Sequence, residues 1–183
     1  MAATKARNAA GALRLFFALW PDDELRARLA ALTAQVSAEC GGRPTAAANL
    51  HATLVFLGSV PEERVAEFIA MAESLRAAAF ELVLDTLGYW RHNRIVWAGA
   101  RRSPPPLVIL ERRLKRGVEA LRWPVDERPY FPHVTLLRDA RRGPAVHTAP
   151  LPLWRVREFA LVSSTQRCGG VRYAPLQRWP LKG

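Results

Sequence analysis

The order of elements predicts an α+β fold of two pseudo-symmetric lobes, each a mainly antiparallel sheet with helices outside, and motif strands lining a central cleft. Two observations carry this. Strand-like and helix-like runs follow one another as strand, helix, strand, helix, and after a break strand, helix, strand recurs. A His-x-Thr-Leu frame occurs once in each half, at His51 and at His133, inside runs of β-branched, aliphatic and aromatic residues suited to strands.

The first strand is expected over Arg14 to Leu19, after a small, basic tail at 1–12. Pro21 with Asp22, Asp23 and Glu24 starts a helix, because proline fits the first turn and acids complement the dipole there; Gly41-Gly42 ends it beyond about Ala38. A loop through Pro44 leads into the first motif strand, closed by Gly58. A second helix opens at Ser59 to Glu63 and buries Val65, Phe68, Ile69, Ala72 and Leu75. Phe80 to Leu84 alternates as a strand, Gly88 to Asn93 reads as a turn carrying a surface His92, and Arg94 to Trp97 as the next strand. Ser103 to Pro106 marks the crossover. Leu110, Leu114, Val118 and Leu121 give the inner face of a basic helix over about 107–121, whose arginines and lysine read as a solvated face. The second motif strand follows Pro129 and Pro132. A Pro-rich loop holds an incidental His147, and a long strand over Trp154 to Ser164 turns at 166–171 into the last strand, Arg172 to Trp179.

At 183 residues the chain is expected to form one domain over 13–183 that buries a core without disulfides. Cys40 and Cys168 stand far apart with no metal-ligand spacing, which suits a reduced cytoplasmic protein. No run approaches a membrane span, and the apolar start lacks a signal-peptide cleavage site. The net charge of +11 is lopsided: 1–90 carry 8 Lys/Arg against 10 Asp/Glu, and 91–183 carry 19 against 6. A genome-wide taste for arginine accounts for 24 of the 27 basic residues being Arg, but not for the imbalance, which favours a polyanionic partner.

His and Thr two apart on a strand share a face, so each motif sets an imidazole beside a hydroxyl. A lone strand histidine is ordinarily structural, but here two of four histidines fall in one frame. Two such pairs facing one cleft supply a general base, a general acid and two hydroxyl donors, the set an in-line displacement at phosphorus requires. Neither a metal-ligand pattern nor a phosphate loop is present, so no metal or cofactor is expected.

Together with Arg14 to Leu19, Arg94 to Gly99, and Arg172 to Leu176 with Arg178-Trp179, the motifs resemble the two-histidine phosphoesterases, within them the bacterial and archaeal RNA 2′,3′-cyclic phosphodiesterases once named 2′-5′ RNA ligases. The resemblance spans about residues 13 to 181. It implies the bilobal architecture and hydrolysis of RNA 2′,3′-cyclic phosphate ends to a 2′-phosphate; a monomer is expected. It also implies His51 as proton donor and His133 as proton acceptor, roles that spacing alone leaves interchangeable. Thr53, Thr135 and Arg138 would hold the phosphate, although in an unbroken strand Arg138 faces away from His133 and Thr135. Tyr130, Phe131 and Tyr173 are candidates for base stacking. Two other readings carry the same motifs: a 2′-5′ ligase running the reaction backwards, and a non-catalytic module that binds RNA ends.

Overall fold

The structure is a computed structural model that describes residues 11–145, 151, 153–168 and 170–182. Residues 1–10 of the tail expected over 1–12, and His147, lie outside the described residues. In chain order the elements are β1 (Ala12–Leu19), α1 (Asp23–Cys40), β2 (Arg43–Pro44), β3 (Ala52–Pro61), α2 (Val65–Ser74), β4 (Phe80–Leu82), β5 (Thr86–Trp90), β6 (Ile95–Gly99), α3 (Pro105–Ala120), β7 (His133–Arg138), β8 (Trp154–Val156), β9 (Glu158–Arg167) and β10 (Gly170–Pro180). Seven strands run β10-β9-β1-β3-β7-β6-β5, with β2 added on β7 and β4-β8 as a separate pair; every pairing between these strands is antiparallel.

The two lobes expected from the motif repeat are the two halves of this sheet. They meet where β3 pairs with β7, at one position, Ala52 opposite Val134. α1 follows β1 in sequence but packs on β2 and β7, and α3 follows β6 but packs on β3. Each motif strand is thus backed by the other half's helix, which stitches the halves into one core. Leu13, Leu15, Phe17 and Leu19 of β1, Leu29 and Val36 of α1, Phe68 of α2, and Leu110, Leu114 and Val118 of α3 all lie in it. Burying a large aliphatic or aromatic side chain is worth about 1.5–3 kcal/mol, so this face holds the sheet to its helices. The opposite face is the cleft: Phe16 and Ala18 of β1 meet Ala160 and Val162 of β9, with Trp20 and Tyr173 packed on them.

Local chemistry accounts for the helix starts. The Asp22 side chain caps α1 by accepting from the Leu25 N–H at 2.8 Å, and Gly41, at φ 65°, ends it. Pro105 and Pro106 sit in the first turn of α3 instead of preceding it, where their missing N–H groups cost nothing.

Several boundaries differ from the sequence expectation. β1 starts at Ala12, inside the range expected for the tail. β3 runs past Gly58 to Pro61, since Gly58 adopts φ 75° while pairing with β1 continues to Ala12–Pro61. The run Trp154 to Ser164 divides, and β8 leaves the main sheet to pair with β4. The segment expected as a turn from Gly88 is instead β5, with the turn confined to 91–94. Gly88 is there for space: a Cβ on it would lie 2.0 Å from Cζ2 of Trp97 and one on Gly99 2.8 Å from the same indole. The two glycines let Trp97 lie flat against the sheet.

Gly88→Ala is therefore expected to destabilise the fold by roughly 1–3 kcal/mol through overpacking of a rigid indole. Urea denaturation checks it, and adding Trp97→Leu, which removes the obstructing ring, should reduce the penalty of the alanine.

Candidate active site

β3 and β7 run antiparallel through Ala52 and Val134, which directs His51 toward Thr135 and His133 toward Thr53. Beyond that point both strands carry an extra residue at the same place. Phe17 and Ala18 pair with Val55 and Thr53, which leaves Leu54 unopposed. Val96 and Trp97 pair with Leu137 and Thr135, which leaves Leu136 unopposed. Each is a β-bulge three residues after its histidine, and a bulge of one residue reverses the alternation of faces. Leu54 and Val55 are consecutively buried, as are Leu136 and Leu137. The next residue on each strand, Phe56 or Arg138, is thereby returned to the cleft. The bulge removes the parity objection to Arg138, which lines one cavity with His133 and Thr135.

The two imidazoles are tethered alike. Nδ1 of His51 lies 2.7 Å from the Asn49 carbonyl oxygen, and Nδ1 of His133 lies 2.9 Å from that of Phe131. A carbonyl only accepts, so Nδ1 carries the proton in both rings and Nε2 is the working nitrogen. Nε2 of His51 is 3.0 Å from Oγ1 of Thr53, whose hydroxyl donates to it in the neutral ring. Aromatic rings hold each imidazole in place. Trp20 stacks on His51 at 5.7 Å with Phe16 at 4.8 Å and Tyr173 edge-on at 5.0 Å; Trp90 meets His133 edge-on at 4.6 Å, and Phe131 stacks beside it at 6.1 Å.

Between the histidines lies a cavity of about 180 Å³, lined by both, by Thr53, Thr135 and Arg138, and also by Arg14, Phe16, Phe56, Ser164 and Tyr173. Of the stacking candidates, Tyr173 lines it and Phe131, 38% exposed, flanks His133. Tyr130 is a correction: it packs against the core with its hydroxyl buried and unpartnered, and burial raises its pKa. Sequence reasoning missed Arg14, Trp20, Asn49, Trp90 and Ser164. The apolar doublets Leu54-Val55 and Leu136-Leu137, at matching offsets, were the legible sign of the bulges. A separate cavity of about 380 Å³ between Arg76, Ile109, Arg113 and Lys182 holds no histidine, serine or threonine and stands apart from this chemistry. Among the described residues no three His, Cys, Asp or Glu side chains cluster as metal ligands, and no helix is long and apolar enough to cross a membrane.

An antiparallel sheet joined at a pair of mirrored His-x-Thr strands is the architecture of the two-histidine phosphoesterases. The family model described as LigT like Phosphoesterase matches residues 19–97. An RNA 2′,3′-cyclic phosphodiesterase from Escherichia coli is 38% identical over 172 residues, covering 92% of this chain and 96% of that protein. One from Thermus thermophilus is 33% identical over 184 residues, covering 93% and 91%. The crystal structure of E. coli LigT in its apo form matches with a TM-score of 0.87 and 36% identity, over 95% of this chain and 100% of that one. The chain belongs to the LigT-like phosphoesterase family.

Electrostatics of the site favour neutral rings. Burial pushes His51 down to about 4; the Asn49 carbonyl opposes this, and His133 and Arg138 add to it. Burial also lowers His133, with the Phe131 carbonyl opposing and Arg138 adding. A histidine lowered on folding takes up its proton more readily in the unfolded chain, from about 6.5. Its stabilising contribution is present above that pH and is lost as pH falls toward about 4. Thermal unfolding between these pH values should therefore show stability dropping with acid, more gently in His51→Gln, and an equal slope in that variant would contradict the burial argument.

Proposed function

We propose that this chain, acting as a single bilobal domain without metal or cofactor, hydrolyses RNA 2′,3′-cyclic phosphodiester ends to 2′-phosphomonoesters. The mirrored tethering of His51 and His133 carries the reading. Each Nδ1 is locked on a carbonyl two residues back, and both rings line one small cavity with two threonines and a guanidinium. Kinship with the E. coli and T. thermophilus enzymes supports RNA cyclic ends as the substrate.

In the forward step His133 Nε2 takes a proton from water as its oxygen bonds to phosphorus. On the opposite side the P–O3′ bond breaks, and His51 delivers its Nε2 proton to O3′ while O2′ stays on phosphorus. Thr53 and Thr135 donate to the nonbridging oxygens, and Arg138 offsets the charge that develops on them. The donor must be an imidazolium, yet burial pushes His51 down to about 4. The cyclic diester resolves this, since an anion between the rings raises both pKa values. Proton loading of His51 is thus coupled to substrate binding.

His51→Ala and His133→Ala are each expected to lower turnover by roughly 10²–10⁴-fold, the range for loss of a general acid or base, in assays run in excess EDTA. Retained RNA affinity beside lost turnover separates catalysis from a binding module, and near-normal rates in either variant sink the mechanism. The product should be one isomer, because a fixed acid stands behind one ester oxygen only. Phosphorus NMR of the product from an oligonucleotide with a 2′,3′-cyclic end should show the 2′-phosphate; a predominant 3′-phosphate would reverse the orientation of the ribose.

A further inference from the structure

The catalytic cavity opens into a larger compartment of about 420 Å³, within the size range of small-molecule sites. One wall is the segment from Arg43 to Asn49, and the other is formed by Ser164, Gly170, Val171 and Tyr173. We propose that this compartment holds the terminal ribose and the RNA strand 5′ to it, with Arg14 and Arg43 binding the first internal phosphodiester. The proposal rests on the hydrolytic reading with His51 as donor.

Three observations point to it. The first is position. In an in-line displacement the ribose stands on the side of the leaving oxygen, and the opposite side admits only water. The compartment is lined by His51 and not by His133, so it opens on the donor's side.

The second is charge. Arg14, Arg43 and Arg138 line the compartment and no carboxylate does. A cyclic diester carries one negative charge, and Arg138, on the motif strand itself, is placed to meet it. Two further guanidiniums exceed what that one anion requires. Arg14 reaches in from β1, opposite Ser164 of β9, with its guanidinium 4.6 Å from the centre of the Phe56 ring. Phe56 occupies the position in the first motif that Arg138 occupies in the second, so the first motif has at this point a ring that seats Arg14. That cation–π contact is weak at an exposed site and holds the guanidinium in place without competing with a phosphate. Arg43 touches Asp139 at 3.3 Å, but a guanidinium has five N–H donors and the others remain available.

The third is construction. Asn49 pins the two walls together: its Nδ2 donates to the Val171 carbonyl at 2.7 Å and its Oδ1 accepts from the Tyr173 N–H at 3.1 Å. Its own carbonyl tethers His51. The groove wall and the donor are parts of one rigid unit.

The test compares a nucleoside 2′,3′-cyclic phosphate with a dinucleotide that ends in the same group and contains one internal phosphodiester. Wild-type protein should prefer the dinucleotide in kcat/KM. Arg14→Gln and Arg43→Gln should each cost the dinucleotide about tenfold more than the mononucleotide, the scale of one charge-assisted hydrogen bond. Ala46→Glu, which sets an acid on the exposed groove wall, should act in the same direction. A dinucleotide whose internal linkage is an uncharged methylphosphonate should lose the wild-type preference. Equal losses on both substrates, or a preference that survives the neutral linkage, would overturn the proposal. Turnover that persists in His51→Ala would instead refute His51 as the proton donor, the assignment on which the proposal rests.

Discussion

Side chains on a strand alternate between faces, and the cleft exists because both motif strands break that alternation at matching positions, Leu54 and Leu136. Each histidine and threonine uses the ordinary period of two. The bulge then buries two successive apolar residues and brings the fifth position after the histidine back to the cleft. Had β7 been regular, Arg138 would point toward α1 and the core, where an unpaired guanidinium is prohibitively costly. The bulge thus lets one short strand anchor the core through Val134, Leu136 and Leu137 while presenting His133, Thr135 and Arg138 on the other face.

That cleft sets two requirements against each other. Rings packed on the imidazoles exclude water, which strengthens every polar interaction with a bound phosphate, but the same exclusion lowers the histidine pKa values. Arg138 works in both directions in the proposed mechanism: its own charge disfavours a positive charge on either histidine, and it would help retain the anion that restores one. The carbonyl tethers are the compensating element. They favour the protonated ring and fix its tautomer, so a proton gained by either ring goes to Nε2, the nitrogen the proposed mechanism uses.

The α+β class, the helices and the paired motifs were legible because each rests on local chemistry: an apolar period, an acidic first turn, a repeated frame of four residues. Features that depend on partners distant in sequence were not. Gly88 reads as a turn residue until Trp97 from the neighbouring strand is seen to occupy the space where its Cβ would be. Trp154 to Ser164 reads as one strand until β4 claims its first three residues for a separate sheet. Tyr130 resembles a stacking residue because it is aromatic and near His133, but the face it presents is decided by the irregular backbone before β7. Arg14 was visible only as part of the first strand, since nothing local connects it to a phenylalanine more than forty residues on.

The departures from two-fold symmetry give the site its direction. A perfectly mirrored pair of His-x-Thr strands would bind a phosphate equally well in two orientations, and acid and base would be interchangeable. Here the halves differ in what surrounds each imidazole. His51 is enclosed by Phe16, Trp20 and Tyr173, is coupled through Asn49 to the groove wall, and opens onto the larger compartment. His133 stands beside the Trp90–Trp97–Phe131 cluster, with the motif arginine on its own strand. In the proposed reading a ribose and its attached chain take the first side, where the compartment is larger, and water enters from the second. With Phe56 standing where the second motif has Arg138, the first side's positive charge sits on Arg14 of β1 and Arg43, off the motif strand and along the proposed route of a polyanionic chain, so that in this reading placing the chain also selects which histidine acts as acid.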